Sequence, residues 1–245
     1  MANVASQIIL HPTSSAILKV LGTTLGRDKV YRATQYFARF LAWYLISRGH
    51  KAEAVRWNVL KGHLAIARKL LRLGKPLEHL QAALRAAQTT GYVKEQLATI
   101  ARQLAYFGYL TYDTVVWANT IRFITLKSET SQKVQKIANR FWLAGILFSI
   151  THAVFKAGRL TKETRKARRL DEKNVGEENA RESRLRGLHA MRADTRRQFI
   201  IDIFDVWLPA SNLGLVNVND GVLGIFGFIS SVLALQAQWL TVNSK

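Results

Sequence analysis

The feature that most constrains this chain is an uncharged stretch close to its C-terminal end. Residues 221–240, GVLGIFGFISSVLALQAQWL, contain no Asp, Glu, Lys or Arg. A helix of this length extends about 30 Å, which matches the hydrocarbon core of a bilayer. Trp239 lies at its end, where aromatic residues prefer the membrane interface. We therefore predict a C-terminal transmembrane helix over residues 221–240.

Small residues recur within this segment. Gly224, Gly227, Ser231 and Ala234 are separated by three, four and three positions, so they share one face of a helix. Such a face lets a second helix approach closely. We predict a helix-packing face that receives either residues 141–155 or a second copy of the chain. The alternative is that Gly is simply frequent in helices of this kind.

A second apolar stretch, FWLAGILFSITHAVF, covers residues 141–155 between Arg140 and Lys156. Its fifteen residues extend only about 22 Å, short of a full hydrocarbon core. Five Lys or Arg lie in the twenty residues before it and eight in the twenty after it, so the positive-inside rule keeps both flanks on the cytosolic side. The stretch is therefore a transmembrane segment, an interfacial segment or a buried core helix, and the sequence leaves this open.

The remaining chain has helical composition and a strong positive charge. Pro occurs only three times, and apolar residues recur at spacings of three and four. The net charge is +20, and residues 1–140 carry 21 basic against six acidic side chains. We expect an all-α, membrane-associated helical bundle with amphipathic helices and one or two transmembrane helices. The predicted divisions are 1–140, a basic amphipathic domain; 141–157, the first hydrophobic segment; 158–205, a charged loop and helix; 206–220, an apolar connector; and 221–240, the C-terminal span.

One basic helix, residues 55–75, carries the functional prediction. Its cations lie on one side with no acid among them, and Gly74 followed by Pro76 ends it. A cationic side beside an apolar side suits the interface of an anionic membrane. The alternative is an ordinary core helix with its basic side outward. The predicted lipid-binding residues are the cations Lys61, Arg68, Lys69 and Arg72 and the apolar residues Trp57, Leu60, Leu64 and Leu71.

The sequence gives little support to an enzymatic or metal-binding function. The chain has no Cys, and its six His residues are scattered without an H-E-x-x-H pattern. No carboxylate cluster offers metal ligands, so we predict no catalytic residue, no metal and no cofactor. Residues 156–198 are about half charged but contain no aromatic residue to stack on bases, so we predict no nucleic-acid partner and a solvated loop with frayed helices.

Three segments resemble one known family. They are Gly26-Arg27-Asp28-Lys29 with the following Arg32, Gln35, Tyr36 and Arg39; ARKLLRLGK, residues 67–75; and the closing apolar segment. Together they resemble the peroxin-11 family of fungal type, in the same order along the chain.

The resemblance implies a protein of the peroxisomal membrane whose N-terminal domain faces the cytosol. It implies that the protein elongates and tubulates peroxisomes before division, inserts the helix of residues 55–75 and self-associates into a homo-oligomer. The implied partners are an anionic phospholipid membrane and the dynamin-related fission machinery with its adaptors. A second reading is a peroxisomal membrane pore for small metabolites, in which several copies line a channel with their small-residue faces.

Overall fold

The structure, a computed structural model, describes residues 6–7, 9–169 and 178–243. All elements within these ranges are α-helices, which confirms the predicted all-α class. The helices are α1 (Pro12–Leu21), α2 (Thr24–Ser47), α3 (Lys51–Leu70), α4 (Lys75–Gln88), α5 (Val93–Thr120), α6 (Ser128–Arg169), α7 (Glu178–Asp205), α8 (Trp207–Asn212) and α9 (Asp220–Asn243).

Local signals in the sequence account for the helix boundaries around α2 and α3. The Thr23 hydroxyl accepts a hydrogen bond from the Gly26 N–H at 2.9 Å and so caps the start of α2. Gly49, with φ +87°, makes the turn from α2 to α3. Gly74, with φ +84°, precedes α4, which has Pro76 in its first turn. The basic helix predicted over residues 55–75 corresponds to α3, which ends at Leu70, four residues before Gly74, and Lys75 already belongs to α4.

The chain divides into two compact units that are not continuous in sequence. The first unit comprises 1–73, 117–125 and 214–245, and the second comprises 74–116 and 126–213. The linear division predicted from charge does not coincide with these units, because residues 1–140 contribute to both. The predicted divisions are continuous ranges of the sequence, whereas the first unit combines segments from both ends of the chain.

In the first unit, α2 contacts both α3 and α9. The Phe37 ring meets Trp57 of α3 edge-on at 6.1 Å between centroids and Phe228 of α9 at 5.9 Å. Near the start of α2, Thr23 accepts a hydrogen bond from Gln238 at 3.4 Å. Since the beginning of α2 lies at the end of α9, these two helices are antiparallel.

In the second unit, the long helix α6 contains the whole of residues 141–155. Tyr109 of α5 stacks on Trp142 of α6 at 5.4 Å. Further along, α6 and α7 share a small core of Leu160, Ala167 and Leu188.

The prediction of a solvated loop with frayed helices over residues 156–198 is therefore corrected, because most of this stretch lies in two long helices. Helix α6 continues to Arg169 and α7 begins at Glu178, while residues 170–177 lie outside the described residues. A few apolar residues at helical spacing pack the two charged helices together, and Arg192 of α7 donates across the same contact to Thr161 of α6 at 3.1 Å.

Among the described residues, two helices are long and apolar enough to cross a membrane by length and composition. They are α6, over Ser128–Arg168, and α9, over Asp220–Asn243. This agrees with the predicted one or two transmembrane helices. The connector before α9 contains the short helix α8, whose Leu208, Pro209 and Ala210 are buried.

Candidate membrane-interaction site

The orientation of α3 is set by which of its sides is buried. Ala54 and Arg68 are 1% and 8% exposed, so they mark the side that faces the interior of the first unit. The opposite side carries an exposed apolar row at spacings of three, four and eleven residues, so its members lie along one line of the helix. This outer row consists of Val55, Val59 and Leu70 of α3 and Leu73 of the turn that follows it.

Arg68 is a buried ion-pair partner in this structure. Its Nε donates to Asp28 Oδ1 at 3.1 Å and its Nη1 donates to Gln35 Oε1 at 2.7 Å. In this structure Arg68 is therefore buried against α2, whose Asp28 supplies its carboxylate partner, and its predicted contact with lipid stays a prediction. Burial alone would raise the pKa of Asp28, but Arg68, Lys29 and Arg72 outweigh it and lower that pKa below its usual value.

The other predicted cations also have partners within the chain or are partly covered. Lys61 is half-buried and donates to Asn58 Oδ1 at 2.8 Å. Arg72 donates through Nε to the Arg68 carbonyl at 3.1 Å, and Lys69 is half-buried. Arg68 thus contacts α2, whereas Lys61 and Arg72 make these hydrogen bonds within their own segment.

The predicted apolar residues are not the most exposed ones on α3. Trp57, Leu64 and Leu71 are half-buried, and Trp57 lies against Phe37. Leu60 is exposed. The sequence showed a broad apolar sector, and only the position of α2 decides which half of it is covered. The outer row could have been named from the helical wheel, but nothing local distinguished it from the inner one.

The small residues of α9 pack on α2 of the same chain. A Cβ at Gly224 would lie 2.6 Å from the Phe40 backbone nitrogen, and one at Gly227 would meet the Tyr36 ring. Ser231 is fully buried and Ala234 is half-buried. The face expected to receive residues 141–155 or a second copy is thus occupied by α2. A pore lined by this face would require α2 to leave it.

Charged groups mark the beginning of α9. Asp220 accepts a hydrogen bond from Arg39 of α2 at 2.6 Å, within an ion pair that is partly exposed. The helix then runs without a charged residue to its end at Asn243. Within it, Ser230 donates to the Gly227 carbonyl at 3.1 Å, so its buried hydroxyl is satisfied inside the helix.

In the second unit, the middle of residues 141–155 carries a polar contact. Ser149 donates to Asp202 of α7 at 2.6 Å, and Gln198 donates to the same carboxylate at 2.8 Å. Burial raises the pKa of Asp202 to about 6, against the lowering effect of these hydrogen bonds and of Arg102. No group of three or more His, Cys, Asp or Glu side chains within the described ranges could hold a metal ion.

Comparison with known proteins decides the family. Residues 14–239 match the family described as Peroxisomal biogenesis factor 11 (PEX11). The chain belongs to the PEX11 family. No solved structure matches it.

The PEX11 relatives are similar to this chain over nearly their whole length. Peroxisomal membrane protein PMP30B of Candida boidinii is 27% identical over 96% of this chain and 98% of its own. Peroxisomal membrane protein PMP27 of Saccharomyces cerevisiae is 25% identical with the same coverage. Peroxisomal biogenesis factor 11 of Schizosaccharomyces pombe is 23% identical over 95% of this chain and 98% of its own.

The three segments that carry the resemblance to PEX11 meet in the first unit. Asp28 and Gln35 of the first segment bind Arg68 of the second. Tyr36 of the first segment lies against Gly227 of the third. The family signature therefore describes the seams along which α3 and α9 pack on α2.

Proposed function

We propose that this PEX11-family chain acts in the peroxisomal membrane and promotes peroxisome elongation, tubulation, proliferation and division. It does so without catalysis, by inserting α3 into the cytosolic leaflet and by self-association. The observation that carries this proposal is the outer row of α3, whose four apolar side chains are exposed on a strongly cationic chain.

The outer row suits the shallow part of a bilayer. Each methylene that leaves water contributes about 0.8 kcal/mol, and each basic residue near an anionic surface contributes about 1 kcal/mol. Arg56 and His63 are exposed beside the row and lie at the level of the headgroups when the row is buried. A helix that lies in one leaflet expands that leaflet, and many copies together curve the membrane.

The C-terminal helix α9 supplies the membrane anchor in this proposal. For residues 141–155 we favour the interfacial topology, in which only α9 crosses. The supporting contact is that of Ser149 with Asp202, because a span over these residues would carry a buried carboxylate toward the bilayer centre. The excess of Lys and Arg on both flanks supports the same topology and a cytosolic N-terminal domain.

The test uses the full chain in cells that lack their own PEX11-family protein. Val59→Asp/Leu70→Asp places two charges in the outer row, and we expect the tagged variant to reach peroxisomes but to lose most of the elongation that the natural chain restores. Gln81→Asp, at an exposed polar position of α4, is the control and should behave as the natural chain. Full elongation by the double variant would reject insertion through the outer row.

Self-association and recruitment of the dynamin-related fission machinery, directly or through adaptors, complete the proposal. They are supported by the family resemblance alone. Two differently tagged full-length copies, expressed together, should co-purify after solubilisation in mild detergent. Failure to co-purify, with both copies in peroxisomes, would remove self-association from the mechanism while leaving membrane insertion standing.

A further inference from the structure

We propose that the ion pair of Asp28 and Arg68 is a latch that holds α3 against α2 and keeps the inward side of α3 from the membrane. Anionic headgroups release the latch by replacing the Asp28 carboxylate as the partner of Arg68. This inference rests on the proposed function, since it concerns how the same helix is made available to lipid.

The packing of the first unit requires that α3 separate from α2 before α3 can lie in the membrane plane while α9 crosses the membrane. Helix α2 is antiparallel to α9, and the pairs Phe37–Trp57 and Asp28–Arg68 show that it is also antiparallel to α3. Helix α3 therefore runs alongside α9. A transmembrane helix lies along the membrane normal, whereas an inserted amphipathic helix lies in the membrane plane. Both orientations cannot be reached while α3 and α9 remain docked on α2.

Of the two contacts, we expect that between α2 and α9 to persist. The backbones approach so closely at Gly224 that a single added methyl group would collide with Phe40. Ser230 and Ser231 are fully buried there. Close packing of small residues is the usual basis of stable helix association in membranes.

The seam between α2 and α3 has the composition of a reversible contact. A single carboxylate, Asp28, is surrounded by the positive charges of Arg68, Arg72, Lys29 and Arg32. Opening this seam in water would expose these charges without compensation, but opening it at an anionic surface exchanges one carboxylate for several phosphates. Arg binds phosphate as readily as carboxylate through its guanidinium group.

When α3 separates from α2, it presents a different surface to the membrane. The half-buried Trp57, Leu64 and Leu71 become available to the acyl chains in addition to the outer row, while Lys61 and Arg68 face the headgroups. The lipid-binding set predicted from the sequence thus describes the released helix, and the structure describes the latched one. Ala54 lies seven residues before Lys61 and therefore on the headgroup side of the released helix.

The absence of Cys from the chain allows a direct measurement. Ala54→Cys places one thiol on the buried side of α3, and Val59→Cys places one on the outer row. The full-length protein is reconstituted into phosphatidylcholine vesicles with or without phosphatidylserine. We expect a water-soluble maleimide to label Ala54→Cys on the order of tenfold faster in the anionic vesicles.

Variants of the pair separate the latch from general loosening. Asp28→Asn should accelerate labelling of Ala54→Cys in neutral vesicles as well. The charge swap Asp28→Arg/Arg68→Asp restores the pair and should restore protection there. Asp28→Leu/Arg68→Met replaces the pair with apolar contacts, which commonly keep helices packed, and should abolish the acceleration by anionic lipid. Circular dichroism confirms that each variant remains helical.

The two positions also distinguish failure of the latch from failure of the proposed function. An environment-sensitive dye on Val59→Cys reports insertion of the outer row. If the dye enters the bilayer while Ala54→Cys stays equally protected in both vesicles and in all variants, α3 inserts without release and the latch is wrong. If the dye never leaves water, membrane insertion itself is wrong.

Discussion

At the scale of single residues, the environment of a charged side chain decides its role more than its identity does. Arg68 was one of four similar cations predicted on one basic helix, yet it is buried and donates to Asp28, which lies 40 residues earlier. Asp202 is the opposite case, because its carboxyl group is 2% exposed and burial outweighs the hydrogen bonds that it accepts from Ser149 and Gln198. The first arrangement favours the ionised form and the second favours the protonated one.

Asp202 should therefore give the fold a recognisable pH dependence. Burial raises its pKa to about 6 in the folded protein, well above that of an exposed aspartate. A raised carboxyl pKa means that its contribution to stability is full below the unfolded pKa and is lost as the pH rises through about 6. Asp202→Asn should remove this contribution, so thermal unfolding of the detergent-solubilised variant should change less than that of the natural chain between about pH 7.5 and about pH 5.

The matched control is Asp194→Asn, which removes an exposed carboxylate from the same helix. It should leave the pH dependence as it is in the natural chain. An unchanged pH dependence in Asp202→Asn would show that the buried carboxyl group does not govern stability in this range.

At the scale of helices, α2 is the element on which the first unit is assembled. One of its sides receives the glycines of α9 and another receives the basic side of α3. These two seams differ in kind, since the first depends on close backbone approach and the second on a buried ion pair. A change of volume should therefore affect the first, and a change of charge the second.

Gly224→Ala tests the seam between α2 and α9. The added Cβ would lie 2.6 Å from the Phe40 nitrogen, and neither backbone can yield without separating the helices. We expect a loss of roughly 1–3 kcal/mol in the free energy of unfolding. Gly62→Ala is the control, because a Cβ there meets nothing within 4 Å and the helix gains about 0.5–1 kcal/mol. Equal effects of the two substitutions on thermal unfolding in detergent would contradict the packing of α9 on α2.

At the scale of the whole chain, each unit is assembled from segments that are distant in sequence. The closing helix α9 belongs to the same unit as α2, and Arg39 meets Asp220 across 181 positions. In the second unit, Asp202 of α7 accepts a hydrogen bond from Ser149 of α6, in the middle of residues 141–155. The membrane topology of α6 therefore depends on α7 as well as on its own hydropathy.

Labelling of single Cys variants in intact peroxisomes tests this topology. Lys51→Cys and Glu182→Cys introduce thiols at exposed positions of α3 and α7, and the natural chain serves as the unlabelled control. We expect a membrane-impermeant maleimide to label both variants from the cytosolic side, because the proposed topology places residues 141–155 in the interface. Labelling of Lys51→Cys alone, with Glu182→Cys accessible only after permeabilisation, would mean that residues 141–155 cross the membrane.

The sequence by itself determined the all-α class, the apolar segments and the family. The helical class and the apolar segments depend on residues that are neighbours along the sequence, so periodicity, uncharged length and turn residues sufficed to predict them. The family follows from three motifs in the same order along the chain. Only the tertiary structure decided which side of α3 is covered and what the glycines of α9 contact. Both outcomes depend on α2, whose contacts with Arg68 and Gly224 join residues far apart in sequence, and local periodicity carries no information about such pairs.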